Sequence, residues 1–115
     1  MTNAHVIAER NIKNVAVNNM PTVIRDIEII NKNGLHARPS ALFVKTASKF
    51  NSDVSVELGG MKVSGKSIMG IITLEASIGK VIHITATGED AEEMVKALEE
   101  LIAQFTLFPA ESPRF

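Results

Sequence analysis

The sequence predicts an α+β fold in which a four-stranded antiparallel sheet is covered on one face by three helices. The predicted elements follow the order strand, helix, strand, strand, short helix, strand, helix. The strand segments alternate apolar and polar residues, which indicates a sheet with one solvated face, and the helical segments repeat apolar residues at spacings of three and four. Because such a sheet must bury its other face, we expect the helices to pack there.

The four predicted strands are short alternating segments separated by turn residues. The first covers residues 23–30, where Ile24, Ile27 and Ile29 stand among charged residues. Residues 54–58 and 61–63 flank Gly59-Gly60 and predict a hairpin. The fourth covers residues 81–87, where one face carries Ile82, Ile84 and Ala86 and the other His83, Thr85 and Thr87.

The three predicted helices are marked by apolar stripes and start signals. The first covers residues 37–50, with apolar positions at Ala37, Ala41, Phe43, Val44, Ala47 and Phe50. A short helix over residues 68–74 is capped by Ser67. Asp90 followed by Glu93 is typical of a capping box, and a third helix continues to about Gln104 with the stripe Met94, Leu98, Leu101 and Phe105.

The chain of 115 residues is expected to form one domain over residues 23–105. Residues 1–22 are rich in asparagine and predict a flexible extension, although a short strand or helix over residues 12–17 is an alternative, and Met20 is a candidate for the true start. Residues 106–115 contain two prolines and predict a loose tail. We expect a monomer.

Composition excludes several classes of function. A net charge of −1 without a basic arm gives no indication of nucleic-acid binding. The absence of cysteine excludes disulfides, thiolate nucleophiles and cysteine-bound metals, and neither His5 nor His83 has a partner at metal-ligand spacing. No apolar run approaches the length of about 18 residues that a membrane span needs, and no signal peptide is recognisable, so we expect a cytoplasmic protein.

The segment 33–39 has the features of a phosphate-handling site. Gly34 permits a sharp turn, and Pro39 is favourable in the first turn of the helix that follows. His36 then lies at or just before a helix N-terminus, where unpaired N–H groups and the helix dipole stabilise an anion. Its imidazole is a nucleophile at neutral pH, and Arg38 supplies a guanidinium group suited to phosphate oxygens.

Two segments resemble those of a known family. Gly-Leu-His-Ala-Arg-Pro at residues 34–39 resembles the active site of HPr, the histidine-containing phosphocarrier of the bacterial sugar phosphotransferase system. Ser-Gly-Lys-Ser-Ile-Met-Gly at residues 64–70 resembles the regulatory serine segment of that family, so the likeness spans residues 23–105. It implies an open-faced β-sandwich in which His36 carries a phosphoryl group on Nδ1 from enzyme I to IIA proteins, Arg38 stabilises the phosphate, and no cofactor or metal is needed.

The resemblance also implies regulation at Ser67. This serine matches the residue phosphorylated by HPr kinase/phosphorylase, and a phosphate there would oppose docking of an acidic partner. We expect docking at Ala37, Ala41, Ile68, Met69 and Ile72. Ser40 departs from the alanine common in the family, but serine is small and acceptable in a first helical turn, so we expect little effect beyond an extra hydroxyl near the phosphate.

Three other interpretations remain open. Residues 60–67 match the pattern of a nucleotide-binding P-loop, although Met61 and Val63 fill the positions where small residues would cradle phosphate and the chain is short for the required fold. The chain is alternatively a regulatory binding module that acts through phosphorylated Ser67 on a transcriptional regulator or a transporter. A nitrogen-related branch of the family fits the 64–70 segment less well.

Overall fold

The computed structural model describes residues 6–12 and 20–107. In chain order these form β1 (Val6–Ile12), β2 (Thr22–Glu28), α1 (Ala37–Ala47), β3 (Asp53–Leu58), β4 (Met61–Ser64), α2 (Ile68–Leu74), β5 (Val81–Thr87) and α3 (Ala91–Leu107). Within these ranges, no helix has both the length and the apolar character that crossing a membrane demands.

The sheet has five strands in the order β1-β2-β5-β3-β4, and every neighbouring pair is antiparallel. The three helices supply the apolar residues that cover one face of this sheet. The predicted α+β class, antiparallel sheet and helix number are therefore confirmed. The predicted strand number is wrong by one, because β1 adds a fifth strand.

β1 lies inside the segment expected to be a flexible extension, so that expectation is wrong for residues 6–12. The strand pairs with β2 from Val6 opposite Ile27 to Ile12 opposite Thr22, with an irregularity between Val6 and Ala8. Val6 is half-buried against the core, Ile7 is 52% exposed and none of the side chains of residues 6–10 is fully buried, so the segment lacks the buried apolar positions that reveal a strand in a sequence. The alternative element at residues 12–17 falls almost entirely outside the described residues, as does most of the predicted tail, since α3 continues to Leu107.

The core lies between the inner face of the sheet and the helices. The inward pattern of β5 is as predicted, with Ile82, Ile84 and Ala86 buried. Strand β2 differs from its prediction, because Val23, Arg25 and Ile27 point inward while Ile24 lies on the other face. The large buried side chains contributed by the helices are Phe43, Ile71, Leu74, Met94, Val95, Leu98 and Ile102.

Arg25 occupies an inward position in β2 although it is charged and only 8% exposed. Its Nε donates to a carboxylate oxygen of Glu99 on α3 at 2.6 Å, and its Nη1 donates to the Ile24 carbonyl at 3.1 Å. A second carboxylate, that of Glu9 on β1, lies 3.8 Å from Nη2. A buried guanidinium needs such partners to offset its lost hydration, so this group connects β1, β2 and α3.

We predict that Glu99→Ala lowers the free energy of unfolding by about 1–3 kcal/mol, because the buried guanidinium loses its shortest charged partner. Urea denaturation followed by circular dichroism measures the change. The matched control is Glu100→Ala, which removes an exposed carboxylate from the next position of the same helix and should cost no more than about 0.5 kcal/mol. Equal costs for the two variants would contradict a structural role for the Arg25–Glu99 pair.

Asp90 precedes α3, and its carboxylate is engaged with the segment before β3. It accepts hydrogen bonds from the Ser52 hydroxyl and from the backbone N–H groups of Asn51 and Ser52, the latter two at 2.9 Å. These bonds, that of the Ser52 hydroxyl foremost, lower the pKa of Asp90 from its ordinary value of 3.8. Asp90, which the sequence identifies as a helix-start residue, therefore also links the end of the α1–β3 connection to the start of α3.

Because the Asp90 pKa is lower in the folded chain, its bonds stabilise the fold fully above the ordinary pKa of 3.8, and that stabilisation is lost as the pH falls through the lowered value. We predict that Asp90→Asn is less stable than the wild type at neutral pH and that the difference narrows below pH 3.8. Urea midpoints measured from pH 7 to pH 2.5 test this, and a difference that stays constant across the range would refute it.

Candidate functional site

His36 is the N-cap residue of α1, as the sequence predicts. Its backbone is extended, with φ −83° and ψ −160°, and its side chain makes no capping hydrogen bond. The side chain is exposed, and the first intrahelical bond runs from the Ser40 N–H to the His36 carbonyl at 2.9 Å. The imidazole is therefore at the surface and is not engaged in capping its own helix.

The loop before His36 is fixed by four hydrogen bonds. The Leu35 N–H donates to the Ala76 carbonyl at 2.9 Å, and the Gly34 N–H donates to the Asn31 carbonyl at 3.2 Å. The Asn31 side-chain amide donates to the Gly34 carbonyl, and the Ser40 hydroxyl donates to the Leu35 carbonyl, each at 3.0 Å. These bonds hold the histidine in a defined position before any partner binds.

Ser40 does not have the role that we expected. Its side chain is fully buried and is directed to the backbone of Leu35. The expectation of a hydroxyl near the phosphate is therefore wrong. Serine at this position stabilises the loop because a buried carbonyl needs a donor.

Gly34 is required by its backbone conformation as well as by its surroundings. Its φ is +63°, a region that L side chains rarely adopt, and a Cβ at this position would overlap the Ala76 carbonyl oxygen. The absence of a Cβ at Gly34 lets the two backbone segments come close enough for the Leu35 N–H to donate to the Ala76 carbonyl.

The charges around His36 favour an anion. The first turn of α1 carries no acidic residue and lies at the positive end of the helix dipole. Helix geometry leaves the N–H groups at the first positions without an acceptor in the helix, and Pro39 has no N–H group. Arg38 lies in the same turn with an exposed side chain. The two predicted phosphate-handling residues are thus brought together at one helix end.

A depression of about 330 Å³ adjoins the histidine. It lies between the start of α1 and the end of α2, and His36 lines it together with Asn33, Leu35, Ile72, Glu75, Ala76 and Ser77. Ile72, a predicted docking residue, therefore shares a surface with the histidine.

Ser67 is the N-cap residue of α2, as predicted, and its hydroxyl accepts a hydrogen bond from the Gly70 N–H at 3.0 Å. The P-loop interpretation of this region is wrong. Residues 61–64 of the matching segment form the edge strand β4, and the Lys66 ammonium group donates to the Phe50 carbonyl at 2.9 Å. A strand followed by a lysine bound to the main chain cannot wrap a phosphate chain.

The other predicted docking residues lie on the surfaces of α1 and α2. Met69 is 69% exposed and Ile68 is 42% exposed, and Ala37 and Ala41 are exposed on α1. We had also assigned Ala37 and Ala41 to the apolar stripe of the helix, whereas the buried side is formed by Pro39, Ser40, Phe43 and Ala47. The two alanines are therefore available at the surface that carries the histidine.

The other histidines do not extend this site. His83 is on the solvated face of β5, as predicted, and its Nδ1 lies 2.8 Å from a carboxylate oxygen of Asp26 across the strand pair, a partner that sequence spacing did not reveal. His5 lies outside the described residues. Within residues 6–12 and 20–107 no cluster of side chains could hold a metal ion.

Sequence reasoning missed two residues around His36. Asn31 is buried, and its side-chain amide stabilises the loop by donating to the Gly34 carbonyl. In a sequence, an asparagine before a glycine indicates only a turn. Glu75 ends α2 in the left-handed conformation and lines the depression, although an isolated glutamate gives no signal in a sequence.

Relatives in sequence are phosphocarriers. A family model described as the PTS HPr component phosphorylation site matches residues 23–104, which include His36 and Ser67. The phosphocarrier protein HPr of Neisseria meningitidis serogroup B is 50% identical over 78 residues, which cover 68% of this chain and 88% of that protein. The HPr-like protein Crh of Bacillus subtilis is 48% identical over 81 residues, which cover 70% of this chain and 92% of that protein.

Solved structures share the fold. A crystal structure of HPr-C-His from Thermoanaerobacter tengcongensis has a TM-score of 0.69 at 50% identity and covers 76% of this chain and 97% of that one. A crystal structure of HPr from Bacillus anthracis has a TM-score of 0.66 at 45% identity and covers 70% of this chain and 95% of that one. The resemblance read from the two sequence segments is confirmed, and this chain belongs to the HPr family of phosphocarrier proteins of the phosphotransferase system.

Proposed function

We propose that the chain carries a phosphoryl group on His36, which it accepts from phosphorylated enzyme I and donates to IIA proteins of sugar permeases in the cytoplasm. The observation that carries this proposal is the exposed imidazole at the start of α1, which makes no capping bond and lies in a segment matched as a phosphorylation site. The chain acts as a stoichiometric carrier, since the group that it receives is the group that it passes on.

The transfer exchanges a phosphoryl group for a proton. The lone pair of the His36 Nδ1 attacks the phosphorus of the donor phosphohistidine, the donor N–P bond breaks, and its electron pair returns to the donor ring. That ring takes up a proton, and the His36 ring gives one up to solvent. We assign Nδ1 because it is the ring nitrogen nearer to the main chain, so a phosphoryl group on it lies closer to the first-turn N–H groups of α1.

Arg38 and the helix N-terminus would act on the charge that moves during transfer. The phosphoryl oxygens carry negative charge throughout, and donors that are already in position stabilise them without further reorganisation. The loop bonds of Leu35 and Gly34 support this role because they fix the histidine before a partner docks.

We predict that His36→Ala abolishes phosphoryl acceptance from enzyme I and phosphoenolpyruvate, because no other described residue offers an imidazole at a helix N-terminus. Arg38→Ala should slow transfer by about 10- to 100-fold, because it removes a charged donor from the phosphate. Intact-mass spectrometry at neutral pH, which preserves acid-labile phosphate, measures both.

The control for Arg38 is Lys45→Ala, which removes an exposed cation from the last turn of the same helix and should leave the rate nearly unchanged. Circular dichroism checks that all variants are folded. Phosphate retained on His36→Ala would exclude this histidine as the acceptor, and an unchanged rate for Arg38→Ala would remove Arg38 from the site.

We propose a second role through Ser67, which HPr kinase/phosphorylase would phosphorylate. Support comes from its place at the N-cap of α2, where a dianionic phosphate meets unpaired N–H groups and the fold survives the added charge. It precedes the exposed Ile68 and Met69, so the phosphate would change the charge of that surface. The relative named Crh is described as a catabolite repression HPr, which favours a regulatory version of this role in which phosphorylated Ser67 recruits a transcriptional regulator.

We predict that Ser67→Asp lowers the rate of phosphoryl acceptance from enzyme I by about tenfold while the chain stays folded, because a negative charge is placed beside the docking surface. The matched control is Ser67→Ala, which loses the capping bond at a cost of about 1 kcal/mol and should still accept phosphate at a near-normal rate. Equal rates for Ser67→Asp and the wild type would contradict the proposed regulation.

The two roles are separated by parallel phosphorylation of the purified chain. One sample receives enzyme I with phosphoenolpyruvate, and the other receives HPr kinase/phosphorylase with ATP. Acid-labile phosphate on His36 supports the carrier. Acid-stable phosphate on Ser67 alone would instead make the chain a regulatory module, as expected in a host without a complete phosphotransferase system.

A further inference from the structure

Glu75 is the one residue other than glycine that has positive φ among residues 6–12 and 20–107. It is the C-cap of α2, with φ 52° and ψ 48°, and its N–H donates to the Ile72 carbonyl at 3.1 Å. Helices commonly end in this conformation with glycine, because a Cβ is strained there. A glutamate at this point is unfavourable for the backbone, so its carboxylate is a candidate for a role of its own.

The backbone places Glu75 beside His36. The next residue, Ala76, accepts the hydrogen bond from Leu35, which directly precedes the histidine. Glu75 and His36 consequently line the same depression. Two chain segments that are far apart in sequence thus bring a carboxylate and the proposed phosphoryl acceptor to one surface.

Glu75 is the only formally charged side chain among the seven residues that line this depression, apart from His36 if it is protonated. No lysine or arginine lines the depression to neutralise the Glu75 carboxylate, and the Glu75 side chain is exposed. A phosphoryl group on His36 would bring two further negative charges to this surface. The carboxylate and the phosphoryl group would then repel each other across the depression.

We propose that Glu75 raises the free energy of phosphorylated His36 and so makes the chain a poorer phosphoryl acceptor but a better donor. The inference rests on the carrier function proposed above. Transfer moves PO₃ from the donor ring to His36 and one proton to the donor ring, so the dianionic group arrives beside Glu75 on loading and leaves it on delivery. The carboxylate is not catalytic, because it acts through space on the stability of the loaded state.

The test is an equilibrium competition between the wild-type chain and Glu75→Gln. Equal amounts of the two chains, one labelled with ¹⁵N, share a limiting supply of phosphoenolpyruvate through a trace of enzyme I until phosphate no longer redistributes. Intact-mass spectrometry gives the phosphorylated fraction of each. Docking affects the rates in both directions and leaves this ratio unchanged, so the ratio reports only the free energy of the loaded state of each chain relative to its unloaded state.

We expect the ratio of phosphorylated to unphosphorylated chain to be about two- to fivefold higher for Glu75→Gln at low salt, because the repulsion between one carboxylate and a dianionic phosphoryl group is weakened by solvent at a protein surface. The advantage should fall toward one at high salt because the repulsion is screened. Glu75→Lys should exceed Glu75→Gln. Glu75→Gly, which also relieves the left-handed strain, should match Glu75→Gln in this ratio while melting at a higher temperature.

The matched control is Glu100→Gln, which removes one carboxylate from the exposed surface of α3 and should give a ratio of one. A ratio of one for Glu75→Gln, or a shift of equal size for Glu100→Gln, would overturn the proposal while leaving the carrier function intact. If neither chain accepts phosphate from enzyme I, the carrier function fails and this inference fails with it.

Discussion

The site depends on one backbone hydrogen bond, in which the Leu35 N–H donates to the Ala76 carbonyl. It joins the loop before α1 to the segment after α2, and it forms because Gly34 has no Cβ to keep the two apart. Ile29 exchanges main-chain bonds with Gly79 and Lys80 at the start of the loop, so the Leu35–Ala76 bond is the one that joins the two segments next to the histidine. With it, the N-terminus of one helix and the C-terminus of another meet at the surface where His36 is exposed.

That meeting of helix ends places opposing charges around the histidine. In the proposed function the start of α1 and Arg38 favour a phosphoryl group, whereas we propose that Glu75 on the α2 side opposes one. A carrier must be loaded and emptied by partners in turn, so a phosphorylated state that is too stable would trap the group and one that is too unstable would never form. If both proposals hold, the two helix ends give the chain two independent means of setting this balance.

The sequence predicted the strands and helices whose buried apolar residues recur at regular spacing, and the residues whose role can be inferred from their neighbours in the chain. The alternation of β5, the capping serine of α2 and the position of His36 at a helix start are all readable from neighbours in the chain. Features that depend on contacts between distant residues were not readable. Glu75 and His36 line one depression only because residues 35 and 76 are joined. Ser40 was misassigned for a more local reason, since its acceptor, the Leu35 carbonyl, is set by the geometry of the loop.

The fifth strand, β1, was also missed because its pairing depends on residues that are distant in sequence. Its charged side chains explain how it is attached to the domain. β1 gains its pairing from the edge of β2 and buries few side chains, so its sequence need not alternate. A new edge strand risks pairing with another molecule, and β1 carries an irregularity near Ile7 and exposed charges at Glu9 and Arg10 that oppose such pairing. Glu9 also approaches the buried Arg25, which Glu99 holds from the helix layer. Because one inward-facing cation is shared by β1 and a core helix, and Val6 packs against the core, β1 becomes part of the domain.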